Sequence, residues 1–305
     1  MGGGDALSGS AGATGAGPLA AIGGWPLPGA AGAVVRRTAA GDGSATAVVA
    51  RAGDPDAVAP WASLTKLLVT LAVLVAVEEG TVALEDPAGP PGSSVRHLLA
   101  HASGLGPDGS AVLAPPGRRR IYSNAGFEVL GAHLSQRAGM PFGDYLRQGV
   151  LEPLGMGATA LPPGASPASG ATGPVGDLAR LGAELLSPRL VSSATLGEAT
   201  TVAFPGLPGV LPGFGRFDPC DWGLGFELRD AKRPHWTGTS NSPGTFGHFG
   251  QRGGFLWVDP DVGLACALLG DGAFGPWALE AWPALADAVV ARWGGRAPGG
   301  AGPVA

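Results

Sequence analysis

The segment Leu67–Val77, Leu-Leu-Val-Thr-Leu-Ala-Val-Leu-Val-Ala-Val, is apolar nearly all the way round when wound as a helix. A helix of that kind is stable only when protein surrounds it, so the rest of the chain must supply the layers that enclose it. The run is too short for the roughly 20 residues that span a bilayer, which leaves a buried core helix. At its head stands Lys66, although burying an unpaired lysine is strongly unfavourable. The chain has two lysines, Lys66 and Lys232, against seventeen arginines. A composition that replaces lysine by arginine almost everywhere has kept this one for chemistry.

Enclosing the helix is feasible, because 305 residues can build one large domain or two lobes. The 55 glycines and 29 prolines show no collagen-like period, so they indicate a loop-rich globule. A net charge of −5 leaves no electrostatic footprint for nucleic acid. The triplet Arg118–Arg120 reads as a solvated loop. Cys220 and Cys266 make no disulfide framework; Cys266, in "GLACALLG", reads as a buried thiol. No basic-then-apolar leader opens the chain, which predicts a cytoplasmic address and no membrane span.

Residues 1–18 are low-complexity and predicted to be disordered, as is a flexible tail over 294–305. Between them, 19–293 reads as one domain. "AGAVVRR" and "ATAVVARAGD", around a Gly-Asp-Gly turn, predict a hairpin leading into the buried helix. "GGFLWVDP" and "VGLACALLGD" predict a second hairpin, and Pro276 opens a C-terminal amphipathic helix. The middle carries short helical patterns between Gly/Pro loops. The chain therefore reads as a sheet lobe built from both ends, about 19–84 and 216–293, with a mostly helical lobe over about 85–215.

Some motifs can be set aside. "GDGAFG" at Gly270–Gly275 fits G-x-G-x-x-G, but no further strand follows to complete a dinucleotide-binding unit, so it is a turn. His97 and His101 are spaced for zinc, yet no third ligand suggests itself, and they read as structural. No serine stands in G-x-S-x-G, and no Walker lysine is present. No metal and no cofactor is expected.

What remains is Ser63, one helical turn before Lys66. Residues three apart share a helix face, so hydroxyl and amine can meet. A lysine is protonated at pH 7 unless burial or a nearby cation lowers its pKa, and arginine cannot lose its proton at all. Lys66 is therefore the expected base that activates Ser63. The free N–H groups of the helix start would stabilise an oxyanion there. The S-x-x-K spacing alone is weak, since seventeen serines put a serine three residues before a given lysine about once in eighteen.

Two more motifs strengthen it. "RRIYSNAGFEVLG" holds Tyr122 two residues before Asn124, and "FGHFGQRGGFLWVDP" presents His248, Phe249 and Gly250 at the start of an expected strand. S-x-x-K, Y-x-N and H-x-G in that order resemble the penicillin-recognising serine hydrolases: class C β-lactamases, D,D-peptidases, D-aminopeptidases and related esterases. "HLLAHASGL", "EPLGMGAT" and "WGLGFEL" resemble that family's connectors, and the likeness runs over roughly 30–290. It implies an α/β (α+β) fold of the β-lactamase/transpeptidase kind, an antiparallel sheet flanked by helices with a mostly helical insertion lobe.

By the same resemblance, Ser63 is the nucleophile that forms an acyl-enzyme. Lys66 and Tyr122 carry the proton traffic, the tyrosine as an anion. Asn124 holds Lys66 and the substrate carbonyl, and His248 replaces the third-motif lysine. The oxyanion hole would be the amides of Ser63 and Gln251, with Gly250 between motif and amide. Phe249 departs from the pattern: β-lactamases and D,D-peptidases carry a hydroxyl there that binds the substrate carboxylate. Arg252, or Arg118–Arg120, could replace the missing cation. These residues predict a serine esterase or amidase for small-molecule ester or amide substrates. A β-lactamase acting on β-lactams or a D-alanyl/D-amino peptide hydrolase is the alternative, and a non-catalytic binding protein of the same fold the second.

Overall fold

The computed structural model describes residues 15–38 and 45–295. A six-stranded sheet forms its centre, in the order β2-β1-β10-β9-β8-β7, every pair antiparallel. The chain's early part supplies β1 (Ala31–Arg37) and β2 (Thr46–Ala52), and its end supplies β7 (Glu227–Leu228), β8 (Phe246–Phe249), β9 (Phe255–Asp259) and β10 (Leu264–Leu269). Two short pairs lie outside it: β3 (Val58–Pro60) with β4 (Thr172–Pro174), and β5 (Gly209–Leu211) with β6 (Gly215–Phe217). Both expected hairpins form. The Gly41-Asp42-Gly43 turn of the first lies outside the described residues, as do 1–14 and 296–305. Gly17–Gly24, which begins within the stretch read as disordered, is a 3₁₀ helix whose Leu19 and Ile22 are buried.

Alternation along the strands sorts the core into two layers. Leu264, Cys266 and Leu268 face α7 (Pro276–Trp293), while Ala265, Ala267 and Leu269 join the core of α1 (Thr65–Glu78). The helices between are α2 (Val95–Leu99), α3 (Asn124–Ala138), α4 (Phe142–Leu146), α5 (Val175–Leu186) and α6 (Ser193–Ala199). With both faces covered, the strands need no polar face, which explains the unbroken apolar run "LACALL" of β10.

The buried helix is as expected: Thr65 through Ala76 are all buried. Alpha5 lies within the stretch read as the helical lobe, yet packs on β1, β9 and β10. At Gly182 a Cβ would stand 3.1 Å from Leu256 and 3.3 Å from Ala265, so glycine and alanine let helix and sheet approach. The pattern of α5 is amphipathic, and periodicity does not say which neighbour covers its apolar face. Alpha7 buries the stripe Ala278, Trp282, Leu285, Ala286 and Val289, and Gly270–Gly275 is the turn before it. Cys220 and Cys266 are buried free thiols.

Candidate active site

Ser63 stands in a 3₁₀ turn, Ala62–Leu64, that leads directly into α1. The turn is pinned from several sides. Thr65 Oγ1 donates to the Ala62 carbonyl at 2.7 Å and accepts from the Ala171 amide at 3.0 Å. Trp61 donates its amide to the Ala171 carbonyl at 2.9 Å and its indole N–H to the Gly173 carbonyl at 3.1 Å. Ala62, just before Ser63, is held at φ 46°, a conformation costly for a residue with a Cβ and enriched where a reactive side chain must be aimed.

Lys66 reaches back along this turn. Its Nζ lies 3.4 Å from Ser63 Oγ, 2.7 Å from Asn124 Oδ1 and 2.9 Å from the Ala168 carbonyl. As an ammonium it can donate to all three. As a neutral amine its two hydrogens go to the two carbonyl acceptors, which turns the lone pair toward Ser63 Oγ. Burial lowers the Lys66 pKa to about 7, against the opposing pull of Asp108 and Glu128.

Asn124 opens α3, whose N-cap Ser123 accepts from the Gly126 amide at 3.0 Å. The cap hydroxyl also donates to the Gly106 carbonyl at 2.6 Å, and Asn124 Nδ2 donates to Asp108 Oδ1 at 3.0 Å. The Tyr122 ring lies under Lys66, 4.8 Å from Nζ to centroid. Burial raises the Tyr122 phenol well above its ordinary pKa, and a hydrogen bond with Ser63 only partly offsets this. The resting group is therefore the neutral phenol, in place of the anion that the resemblance implies, because a phenolate in this dry site lacks the solvation it needs.

His248 Nδ1 lies 2.7 Å from the Phe249 carbonyl, which can only accept, so the proton sits on Nδ1. Nε2 then faces the Tyr122 hydroxyl at 3.5 Å as an acceptor. Burial, with help from Lys66, pushes the His248 pKa down to about 3, so the ring is uncharged at neutral pH.

His248 and Phe249 end β8 rather than starting a strand; the chain then turns, Gly250 N–H bonding the Gly254 carbonyl at 2.8 Å, before β9 begins. A Cβ on Gly250 would lie 2.8 Å from the Trp61 carbonyl and 3.4 Å from the Ser63 amide nitrogen. Glycine thus lets the end of β8 close on the turn that carries Ser63. Neither the Ser63 nor the Gln251 amide donates to another backbone group among the described residues.

Ser63, Tyr122, Asn124, His248, Phe249 and Gln251 line one cavity of about 230 Å³, with Leu211, Pro212, Trp222 and Glu227 completing its wall. Lys66 stands behind Ser63, fully buried. Arg252 is not brought in; it pairs with Asp271 at 3.0 Å on the surface. Arg120 is no substrate cation either. It is buried and donates to the carbonyls of Cys220, Ala100, Ala203 and Phe204, and burial brings its pKa down to about 10.

Ala168, Leu211, Pro212 and His101 escaped sequence reading. Ala168 acts through a carbonyl, which no residue type announces. Leu211 and Pro212 come from a Gly/Pro-rich stretch that reads as loop. His101, read as structural, stacks on Tyr122 at 4.7 Å and accepts from the Ser123 amide at 3.1 Å. Its place in "HLLAHASGL" was the available signal.

A model of the beta-lactamase family matches residues 27–290, which takes in both the sheet and this cavity. The chain belongs to the beta-lactamase family, a serine-hydrolase family. A beta-lactamase of Mycobacterium bovis with a solved structure is 53% identical, with a TM-score of 0.86 over 91% of this chain and 99% of that one. The D-alanyl-D-alanine-carboxypeptidase/endopeptidase AmpH of Escherichia coli (strain K12) is 29% identical over 145 residues, 35% of this chain and 38% of that relative's length. EstCE1, a hydrolase with promiscuous acyltransferase activity, shares the fold at 19% identity, with a TM-score of 0.70 over 89% of this chain and 96% of that one. Among the described residues no helix is long and apolar enough to cross a membrane, and no group of three or more His, Cys, Asp or Glu could hold a metal.

Proposed function

We propose that the chain hydrolyses small esters or amides through an acyl-enzyme on Ser63. The reading rests on one observation: a fully buried Lys66 with a pKa of about 7, whose two carbonyl acceptors leave its lone pair for the Ser63 hydroxyl. In this mechanism Ser63 Oγ attacks the substrate carbonyl carbon and its proton passes to Lys66. The tetrahedral oxyanion lies against the Ser63 and Gln251 amides, one such donor being worth about 3 kcal/mol in the transition state. The proton then travels by way of the Tyr122 hydroxyl to the leaving group, and the acyl-enzyme remains. Water repeats the sequence, giving its proton to Lys66 while Ser63 leaves and is reprotonated.

The choice of ester or amide over β-lactam follows from what the cavity lacks. Its lining residues include no arginine or lysine, His248 is neutral, and Phe249 has no hydroxyl. A substrate carboxylate would enter without a charged partner, which is strongly disfavoured. The second reading, a β-lactam or D-alanyl peptide substrate, draws its support from the 53% identity to the M. bovis beta-lactamase and from AmpH.

A fluorophosphonate probe tests the nucleophile: label is expected on the native protein and absent from Ser63→Ala. Rates on a short aryl ester, a chromogenic cephalosporin and a D-alanyl peptide rank the substrates, with the ester expected first by at least about tenfold. Fast cephalosporin turnover would reverse the choice.

A further inference from the structure

The catalytic cavity opens beside a second depression of about 470 Å³. Its floor and walls are Pro107, Leu113, Ile121, Pro208, Val210 and Pro212, and it shares Tyr122 and Pro212 with the cavity that holds Ser63. The two therefore adjoin at Tyr122 and Pro212, and the lining beyond Tyr122 is mostly apolar. Leu113 and Val210 are 51% and 56% exposed, large apolar groups left facing water along this line. Arg119 and Arg216 border the same depression, where long cationic side chains can lay their methylene stems on apolar surface while their heads stay wet.

The β5–β6 hairpin is the shared wall: Leu211 and Pro212 face the catalytic cavity, while Val210, Pro212 and Arg216 face the depression. It is fastened to the Y-x-N segment. The Arg120 amide donates to the Pro208 carbonyl at 2.9 Å, and a Cβ on Gly209 would lie 2.7 Å from that of Arg120. This explains the buried guanidinium of Arg120, which ties Tyr122's own strand of chain to the loops on either side of the hairpin.

We infer that this apolar trough, adjoining the Ser63 cavity at Tyr122 and Pro212, holds the leaving-group arm of the substrate, which makes esters of apolar, medium-length alcohols the preferred class. The side of the ester follows from the proposed function, on which the inference rests. The leaving oxygen must meet the Tyr122 hydroxyl to be protonated, so the arm attached to that oxygen runs over Tyr122, where the trough begins. Burying an alkyl arm there removes from water both the arm and the exposed faces of Leu113 and Val210.

The test is a series of acetate esters of ethanol, butanol and octanol, with ethyl octanoate as the converse, followed by pH-stat in the native protein and in Val210→Asp and Leu113→Asp. Native kcat/KM is expected to climb by at least about tenfold from ethyl to octyl acetate. Every acetate leaves the same acetyl-enzyme, so the climb belongs to acylation. Both variants should flatten it. A flat native series, a climb that survives both substitutions, or a gain confined to ethyl octanoate overturns the inference. Turnover of ethyl acetate that depends on Ser63 keeps the proposed hydrolase standing in each of those cases, whereas its loss would remove both.

Discussion

Lys66 and Lys232 are both buried, yet only Lys232 faces a carboxylate, Glu227 Oε1 at 2.9 Å. Lys66 meets neutral acceptors, and burial lowers its pKa to about 7. If its free amine is the base, kcat/KM on a short ester rises about tenfold per pH unit below 7 and levels off above it, since deprotonation produces the active form. A profile still climbing at pH 10 would mean that Lys66 stays protonated in the resting protein. Lys66→Arg keeps a cation but not a base, and should lower kcat/KM by about 10²- to 10⁴-fold with the circular-dichroism spectrum preserved. His101 acts by position. Its Nδ1 accepts from Ser123, so the ring's proton lies on Nε2, and burial first, then Lys66, His248 and Arg120, hold its pKa well below the ordinary value. His101→Phe retains a ring against Tyr122 but leaves the Ser123 amide without its acceptor. We expect kcat to fall about 100-fold with the pH midpoint unmoved, because a neutral group leaves the site's charge as it was; His101→Asn, which restores an acceptor near Nδ1, should recover part of the loss.

At the level of elements, the site is a meeting of three ends: the 3₁₀ turn before α1, the N-terminus of α3 and the end of β8. Each local preference is legible in sequence, as Ser123 capping α3 and the apolar run of α1 demonstrate. The meeting is not legible, because it depends on how closely the ends approach. Gly250 sets one approach: a Cβ there would press on the Trp61 carbonyl at 2.8 Å. Gly250→Ala should therefore push β8 away from Ser63 and cut kcat about 100-fold, while the melting temperature changes little because the turn lies at the sheet's end. A variant with full activity would remove the close approach as a requirement.

Across the whole molecule, the last strand of the sheet is secured by a buried polar group. Glu227 on β7 pairs electrostatically with Lys232 through Oε1 and with Oε2 accepts from His235 Nε2 at 2.8 Å and Trp236 Nε1 at 2.8 Å, and the Trp236 ring rests on Phe249, 5.6 Å between centroids. Burial tends to raise the Glu227 pKa, but His235 and Lys232 outweigh it and bring it from 4.5 to about 2. A carboxylate with a lowered folded pKa contributes stability that is complete above its unfolded value and fades as pH falls toward the folded one. Glu227→Gln should therefore cost about 3 kcal/mol at pH 7, with the difference from native shrinking between pH 4.5 and 2, as followed by urea unfolding. A gap that persists to pH 2 would assign the loss to packing.

Composition and periodicity determined that a fully apolar helix lies at the centre and that hairpins from both ends make the sheet; spacing marked Ser63 and Lys66, and the resemblance of the ordered motifs to a known family marked Tyr122, Asn124 and His248. These are local properties, written in residue type and spacing. The placement of α5 on the sheet, the separation of Arg252 from the cavity, the neutral state of Tyr122 and the hairpin shared by two depressions were decided only by tertiary structure. Each depends on which surfaces shield which from water, and the strength of a charge or a hydrogen bond is set by that shielding rather than by the order of residues along the chain.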